Sequence, residues 1–247
     1  MKRVTALAAA GVALLVLPLI GLLHRAPWST LGAELAAPEA RQALGLSLVC
    51  SAGALAVALV VGLPLAWVLA RTTFPGRSVL RALVTLPMVL PPVVGGVGLL
   101  AVFGRRGLIG TELPFTTAGV VVAQAFVATP FLVLAAEAGL RQLDRRYEDA
   151  AATLGARPWH RFRTVTVPLI APSLVAGAAL AWARALGEFG ATVTFAGSLP
   201  GRTRTLPTAI YAGLQTRPES AIALSVVLLA VSLAVLVALR GRWLGAR

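Results

Sequence analysis

Arg141–Leu169 reads RQLDRRYEDAAATLGARPWHRFRTVTVPL, a polar island between long apolar stretches. Residues 140–154 are good helix formers, and Gly155 suits the left-handed turn that ends such a helix. Arg157-Pro158-Trp159 then begins a second short element. The segment is therefore predicted to be a helix, a sharp turn and a short helix standing clear of the flanking stretches. Ala150, Ala151 and Ala152 leave a smooth surface that a partner backbone can approach, with Glu148 and Asp149 adding acid beside it. Trp159, His160 and Phe162 supply aromatic anchors of the kind that carry binding energy at interfaces. A generic basic loop containing a glycine is the plainer reading, but it does not account for Pro168 at the start of the next apolar run, where a missing N–H costs least.

The flanks decide the fold class. The chain has 247 residues, 58% hydrophobic and 13% charged, which argues against a soluble globular domain. A helix needs about 20 mostly apolar residues to cross the hydrocarbon. Six stretches qualify: 4–23, 44–70, 79–103, 118–140, 165–187 and 221–239. The expectation is an all-α polytopic membrane protein with six transmembrane helices. Residues 1–43 would hold the first helix and an external connector, 44–240 a core of five helices with the polar loop at 141–164, and 241–247 a tail. Lys2 and Arg3 before an apolar run resemble a secretory signal, but Leu23-His24-Arg25 offers no small-x-small cleavage site, so the first helix is expected to stay.

The formal charge of +13 is unevenly placed. With six spans both ends share one side, and that side carries fourteen basic residues, among them Arg71, Arg77, Arg81, Arg141, Arg145, Arg146, Arg157, Arg161 and Arg163. The other side carries seven, Arg25, Arg41, Arg105, Arg106, Arg202, Arg204 and Arg217, and Arg184 lies within a span. By the positive-inside rule both termini and the polar loop are cytoplasmic. The charge thus reflects topology, and a nucleic-acid partner is not expected.

Several chemistries are excluded by residue type. Lys2 is the only lysine, so the chain has no phosphate-binding P-loop and no internal Schiff-base lysine. His24 and His160 fall on opposite sides and no cysteine pair accompanies them, which leaves no metal site. Cys50 is single, inside the second span, and no serine sits in a G-x-S-x-G elbow.

Two spans carry unusual residues. Leu86–Gly98 contains Pro87, Pro91, Pro92, Gly95, Gly96 and Gly98. At membrane depth such backbone is tolerated only where protein or a water-filled cavity satisfies the freed groups. It is either a wall of a transport path or a kink whose glycines permit close helix contact, and the two are compatible. Arg184 and Glu188 sit four apart near the end of the fifth span, followed by Thr192 and Thr194. A charge in a span costs at least about 2.5–3.5 kcal/mol near its centre, so it is paired or faces a cavity. The pair is either an internal lock or a path element biased toward anions. The loop from Ser198 to Tyr211 offers Arg202, Thr203, Arg204 and Thr205 to an oxyanion or a docking partner, or is an ordinary solvated loop.

The polar loop also carries a resemblance. Asp149-Ala150-Ala151, three residues, Gly155, nine residues and Val165-Thr166-Val167-Pro168 match the spacing of the Glu-Ala-Ala, Gly, Ile-x-Leu-Pro signature of permease subunits of ATP-binding-cassette (ABC) importers. Asp149, Val165 and Val167 depart from the usual residues but keep charge or apolar character. The segments LPMVLPPVVG from Leu86, RALGEFGAT from Arg184 and RTLPTAIY from Arg204 look like the molybdate branch of that family, and sulfate and tungstate permeases share much of this pattern.

The resemblance implies the type I importer permease fold, in a bacterial plasma (inner) membrane. It also implies a homodimer of permease chains in lipid, two copies of a separate ATPase that hold ATP and Mg, and an extracytoplasmic molybdate-binding protein. This chain would bind no cofactor and catalyse nothing. Glu148, Asp149, Ala150, Ala151, Gly155 and Trp159 become candidates for coupling to the ATPase. Pro91, Pro92, Gly95, Gly96, Arg184, Glu188, Thr192 and Thr194 become candidates for the translocation path. The alternatives are a sulfate/thiosulfate or tungstate importer and, from another class, an ion-driven carrier or channel. A carrier needs ionisable relays within its spans, for which Arg81, Glu137 and Arg184 are the candidates. An intramembrane enzyme would need a nucleophile or metal set that the sequence lacks.

Overall fold

A proline begins the longest helix. The computed structural model describes residues 1–243, without the side chains of Lys2, Arg3 and 239–243, and four residues of the expected tail, 244–247, lie outside the described residues. After α1 (Lys2–His24) and the short α2 (Leu31–Ala36), α3 (Pro38–Arg71) starts on Pro38, whose missing N–H has no partner to lose at that position. It begins six residues ahead of the predicted stretch. The buried residues of α3 are nearly all small and recur every three or four positions, including Ala54, Ala58, Gly62 and Ala66. In a membrane, where lipid is as apolar as leucine, such a stripe lets two backbones approach closely and packing drives association.

The stripe faces α6 (Thr117–Gln142), the central helix, whose first turn is capped by the Thr116 hydroxyl accepting the Gly119 N–H at 3.0 Å. Ala54 and Ala58 meet Ala125, Ala128 and Leu132, and Ala66 and Leu69 meet Val133, Ala136 and Leu140. On its other side α6 packs against α9 (Val167–Leu186), again through small residues. A Cβ on Gly177 would fall 2.6 Å from that of Ala135, and one on Gly139 would fall 2.7 Å from that of Ser173.

The expected single span at 79–103 is divided. It forms α4 (Arg77–Val89) and α5 (Pro92–Phe103), which meet at an angle of 116°. Leu90 and Pro91 are extended between them, because each precedes a proline whose ring excludes the α region for the residue before it. Five helices are thus long and apolar enough to cross a membrane, six if the bent pair counts as one span, and no strand occurs among the described residues.

A short helix, α7 (Gly190–Ala196), packs against α5 and α6. α8 (Leu206–Thr216) and the last helix, Pro218–Trp243, pack on each other, and the Leu206 N–H donates to Ser47 Oγ on α3 at 2.6 Å. α1 stands apart, with none of its apolar window buried and its contact made with the last helix.

Candidate functional site

The polar loop at 141–164 is built from two short helices and a turn, and the first, the helix Arg145–Thr153, is called the loop helix below. Residues 140–154 are not one helix, because the central helix ends at Gln142 and Asp144 starts a new one by accepting the Arg146 N–H at 2.9 Å. The Arg146 side chain and its N–H hold the Asp144 carboxyl below its ordinary pKa. At the other end Gly155 has φ +81°, and its N–H bonds to Ala152 O while that of Ala156 bonds to Ala151 O, the paired closure of a Schellman turn. Pro158 opens the next helical turn, Pro158–Arg161, which passes through a π-helical turn, Phe162–Thr166, into α9.

Asp149 and Ala150 are exposed, Ala151 is half-buried, and Trp159 is 72% exposed. Beside them Ala151, Leu154, Gly155, Ala156, Arg157, His160 and Thr164 line an open hollow of about 560 Å³. Glu148 differs from the expectation that it adds acid to this surface. It turns inward, and only 8% of it is exposed. Its Oε1 accepts from Thr166 Oγ1 at 2.6 Å, and its Oε2 lies 3.0 Å from Arg71 Nη2 in an ion pair that falls short of hydrogen-bond alignment. Trp159 stacks on Phe162 with ring centres 5.6 Å apart, and Phe162 meets Trp67 of α3 edge-on at 5.5 Å.

The path candidates gather around α5 and α7. Pro91 and Pro92 make the bend, and Pro92 lies against Gly190. Gly95 and Gly96 are packing glycines here, since a Cβ would fall 2.9 Å from Phe126 Cε1 and 2.6 Å from Thr194 Cβ respectively. Thr194 donates to Gly190 O at 2.8 Å. Arg184 Nη1 and Glu188 Oε2 are 2.6 Å apart, and Glu188 Oε1 accepts the Ala191 N–H at 2.8 Å, so one buried carboxylate both pairs the arginine and caps α7. Arg184 remains half-buried while Glu188 is buried.

Thr192 is buried with its hydroxyl unpartnered, and on α6 both amide atoms of buried Gln124 are unpartnered too. Val120 of α6 clusters with Ala196, and Ala123 and Val127 with Ala191 and Phe195, so Gln124 and Thr192 lie on two helices packed together.

Several other charged residues are held by partners. Glu137 is held by Arg81 and by Arg141, the latter at 2.9 Å, so the carrier candidates Arg81 and Glu137 form an ion-pair knot. The expected loop 198–211 ends early, since a helix begins at Leu206; within it Thr203 and Thr205 are buried and Arg204 donates to Ser198 O at 3.2 Å, so these residues hold the loop together, and Arg202 alone of the four is exposed. No cluster of metal ligands occurs among the described residues.

Reading the sequence missed Arg71, Trp67, Thr166 and Gln124. Gln124 was visible as a lone amide in an apolar run, whereas Arg71 and Thr166 look like ordinary helix-end residues until the fold joins them.

The chain is similar to known proteins throughout its length. A family model described as "Binding-protein-dependent transport system inner membrane component" matches residues 58–247. Over 95% of this chain and 92% of the relative, it is 46% identical to the molybdenum transport system permease protein ModB of Mycobacterium tuberculosis. It is 43% identical to the Escherichia coli protein of the same name over 82% of this chain and 92% of that one. The sulfate transport system permease protein CysT of Escherichia coli is 40% identical over 72% of this chain and 67% of the relative. Among solved structures, a bacterial ABC transporter involved in the import of the acidic polysaccharide alginate superposes with a TM-score of 0.67 at 16% identity, covering 100% of this chain and 98% of that one. The MetNI methionine ABC transporter gives 0.59 at 20% identity, covering 81% and 94%.

Proposed function

The chain belongs to the binding-protein-dependent transport system inner membrane component family, and from that premise we propose that it is the membrane-spanning subunit of an ATP-driven molybdate importer. The fold is that of ABC importer permeases. Molybdate is preferred to sulfate because the molybdenum permeases match more of the chain at higher identity than the sulfate permease does.

The observation that carries the mechanism is the polar loop, whose exposed Asp149, Ala150 and Trp159 stand beside an open hollow at a turn closed by Gly155. A separate ATPase, holding ATP and Mg, docks there. A homodimer of this chain forms the path, both termini face the cytoplasm, and an extracytoplasmic binding protein delivers the oxyanion. Residues 44–240 form the permease core, with 1–43 an added helix and connector and 241–247 a tail. ATP binding closes the ATPase pair, the loop carries that motion inward, and α5 and α7 shift against each other. Arg184, steered by Glu188, offers a guanidinium toward the path, and Thr192 and Thr194 line it with hydroxyls beside Pro91, Pro92, Gly95 and Gly96. Favouring transport by an ATPase over an ion-driven carrier, the Arg81–Glu137–Arg141 knot leaves no free relay at the cytoplasmic end of the central helix.

The test is uptake of labelled molybdate into proteoliposomes holding this chain and its ATPase, with binding protein and ATP supplied and sulfate in excess. Uptake that needs ATP and resists sulfate is expected. Uptake abolished by sulfate moves the substrate to sulfate, and uptake without ATP overturns the mechanism.

A further inference from the structure

Glu148 is an acid on a loop that meets solvent, yet it is buried and held by two other elements. Its carboxylate is divided between them. One oxygen takes the Thr166 hydroxyl at 2.6 Å, and the other faces Arg71 at 3.0 Å. Arg71 is the last residue of α3, and Thr166 is the last residue of the π-helical turn that leads into α9. Three separate stretches of chain therefore meet on one carboxylate.

The junction is reinforced around its rim. The Arg71 guanidinium lies 5.9 Å from the Trp67 ring centre, and the Arg71 carbonyl accepts from Arg145 Nη2 of the loop helix at 3.4 Å. Trp159, on the exposed side, is linked to Trp67 through Phe162. A buried charge is strongly unfavourable unless paired, so the carboxylate holds this geometry and resists sliding. Without it the nine-residue loop helix would keep the turns at 143–144 and 154–157, its packing on the helical turns that follow and the long Arg145–Arg71 carbonyl bond, and would swing more freely when pushed.

We propose that Arg71, Glu148 and Thr166 form a clasp that makes the loop helix move as one body with the cytoplasmic ends of α3 and α9. They are positioning residues, acting through the loop and touching neither ATP nor the transported ion. The proposal rests on the reading of 141–164 as the coupling loop. It assigns Glu148 to transmission, while Asp149 and Trp159 remain on the docking face.

Glu148→Gln keeps the side-chain shape and removes the charge. Its complex with the ATPase is expected to assemble and hydrolyse ATP, while molybdate uptake per ATP hydrolysed falls about tenfold, within the usual range of coupling between sites. Arg71→Met should do the same, and the double variant should be no worse than either single one, because both remove one interaction. Unchanged uptake per ATP, additive losses in the double variant, or loss of ATPase association by Glu148→Gln would each overturn the clasp.

A second measurement does not depend on those variants. Cysteines placed by Arg71→Cys and Glu148→Cys should uncouple the transporter, and a short bis-methanethiosulfonate linker should restore coupling, the native Cys50 being buried. Linkage without recovery overturns the rigid-body claim. Trp159→Ala separates the two readings. If it weakens ATPase association while Glu148→Gln is silent, only the clasp fails; if association and uptake both survive Trp159→Ala, the coupling loop itself is misassigned and the clasp falls with it.

Discussion

Gly96→Ala should loosen the contact between α5 and α7 and depress transport, whereas Gly98→Ala, two residues away on the same helix, should not. A Cβ at position 96 would lie 2.6 Å from Thr194 Cβ, 3.1 Å from Thr194 Cγ2 and 3.0 Å from Ala191 O. Carbon atoms rest about 3.5–4.0 Å apart, so the two helices must separate by about 1 Å. The clash is with a Cβ, which no rotamer change moves, and Thr194 is further held by its bond to Gly190 O.

Overpacking of this kind costs about 1–3 kcal/mol. Replacing glycine by alanine within a helix returns about 0.8–1.0 kcal/mol, so the net effect is a loss of up to about 2 kcal/mol. At Gly98 nothing lies within 4 Å, and only the helix gain remains. The two variants should therefore shift thermal unfolding of the detergent-solubilised chain in opposite directions. Uptake in proteoliposomes should fall for Gly96→Ala and persist for Gly98→Ala. If Gly96→Ala unfolds and transports like the parent chain, the tight α5–α7 contact does not exist as described, and its place in the path goes with it.

The remaining predictions concern the loop. Gly155→Val meets no steric neighbour but must adopt φ +81°, so it should cost about 1–2 kcal/mol and weaken ATPase association measured by co-purification, while Gly155→Asn, which tolerates that conformation, should be mild. Trp159→Ala removes an exposed anchor and should weaken ATPase binding at least about tenfold in a titration, as central aromatic contacts do, with thermal stability little changed. Asp144 has a lowered pKa in the folded chain, so its contribution to the loop helix is present above the ordinary carboxylate value and is lost as pH falls through the lowered one. The protection of amides 145–147 relative to their intrinsic exchange rate at each pH should accordingly fall on acidification, and Asp144→Asn should flatten that pH dependence.

Much of this molecule is local and was legible in the sequence. The apolar stretches became helices because hydropathy and the need to satisfy backbone groups in lipid act on each segment separately. The Gly155 turn and the Pro158 start followed because φ preferences act within a single turn. The break at Leu90–Pro91 was signalled by its prolines, but the sequence reading treated it as a kink within one span. The 116° angle depends on what α4 and α5 pack against, not on the prolines alone. The Glu148 side chain was read as surface acid because it stands next to Asp149 beside the alanines of a polar loop; it turns inward because of Arg71 and Thr166, which only the fold brings near.

Residues 81 and 137 likewise look like isolated ionisable groups until a pairing across 56 positions neutralises them. Gln124 stands out in the sequence as a lone amide, but only the fold shows that it and Thr192 are buried without a partner. The sequence by itself determined that this chain lives in a membrane, where most of its apolar helices lie and where its polar loop turns, because those properties are set by residues within a turn or two of one another. Which charges are buried, which glycines are pressed against a neighbour and which elements the loop is fastened to were decided by tertiary structure, because each depends on contacts between residues distant in the chain.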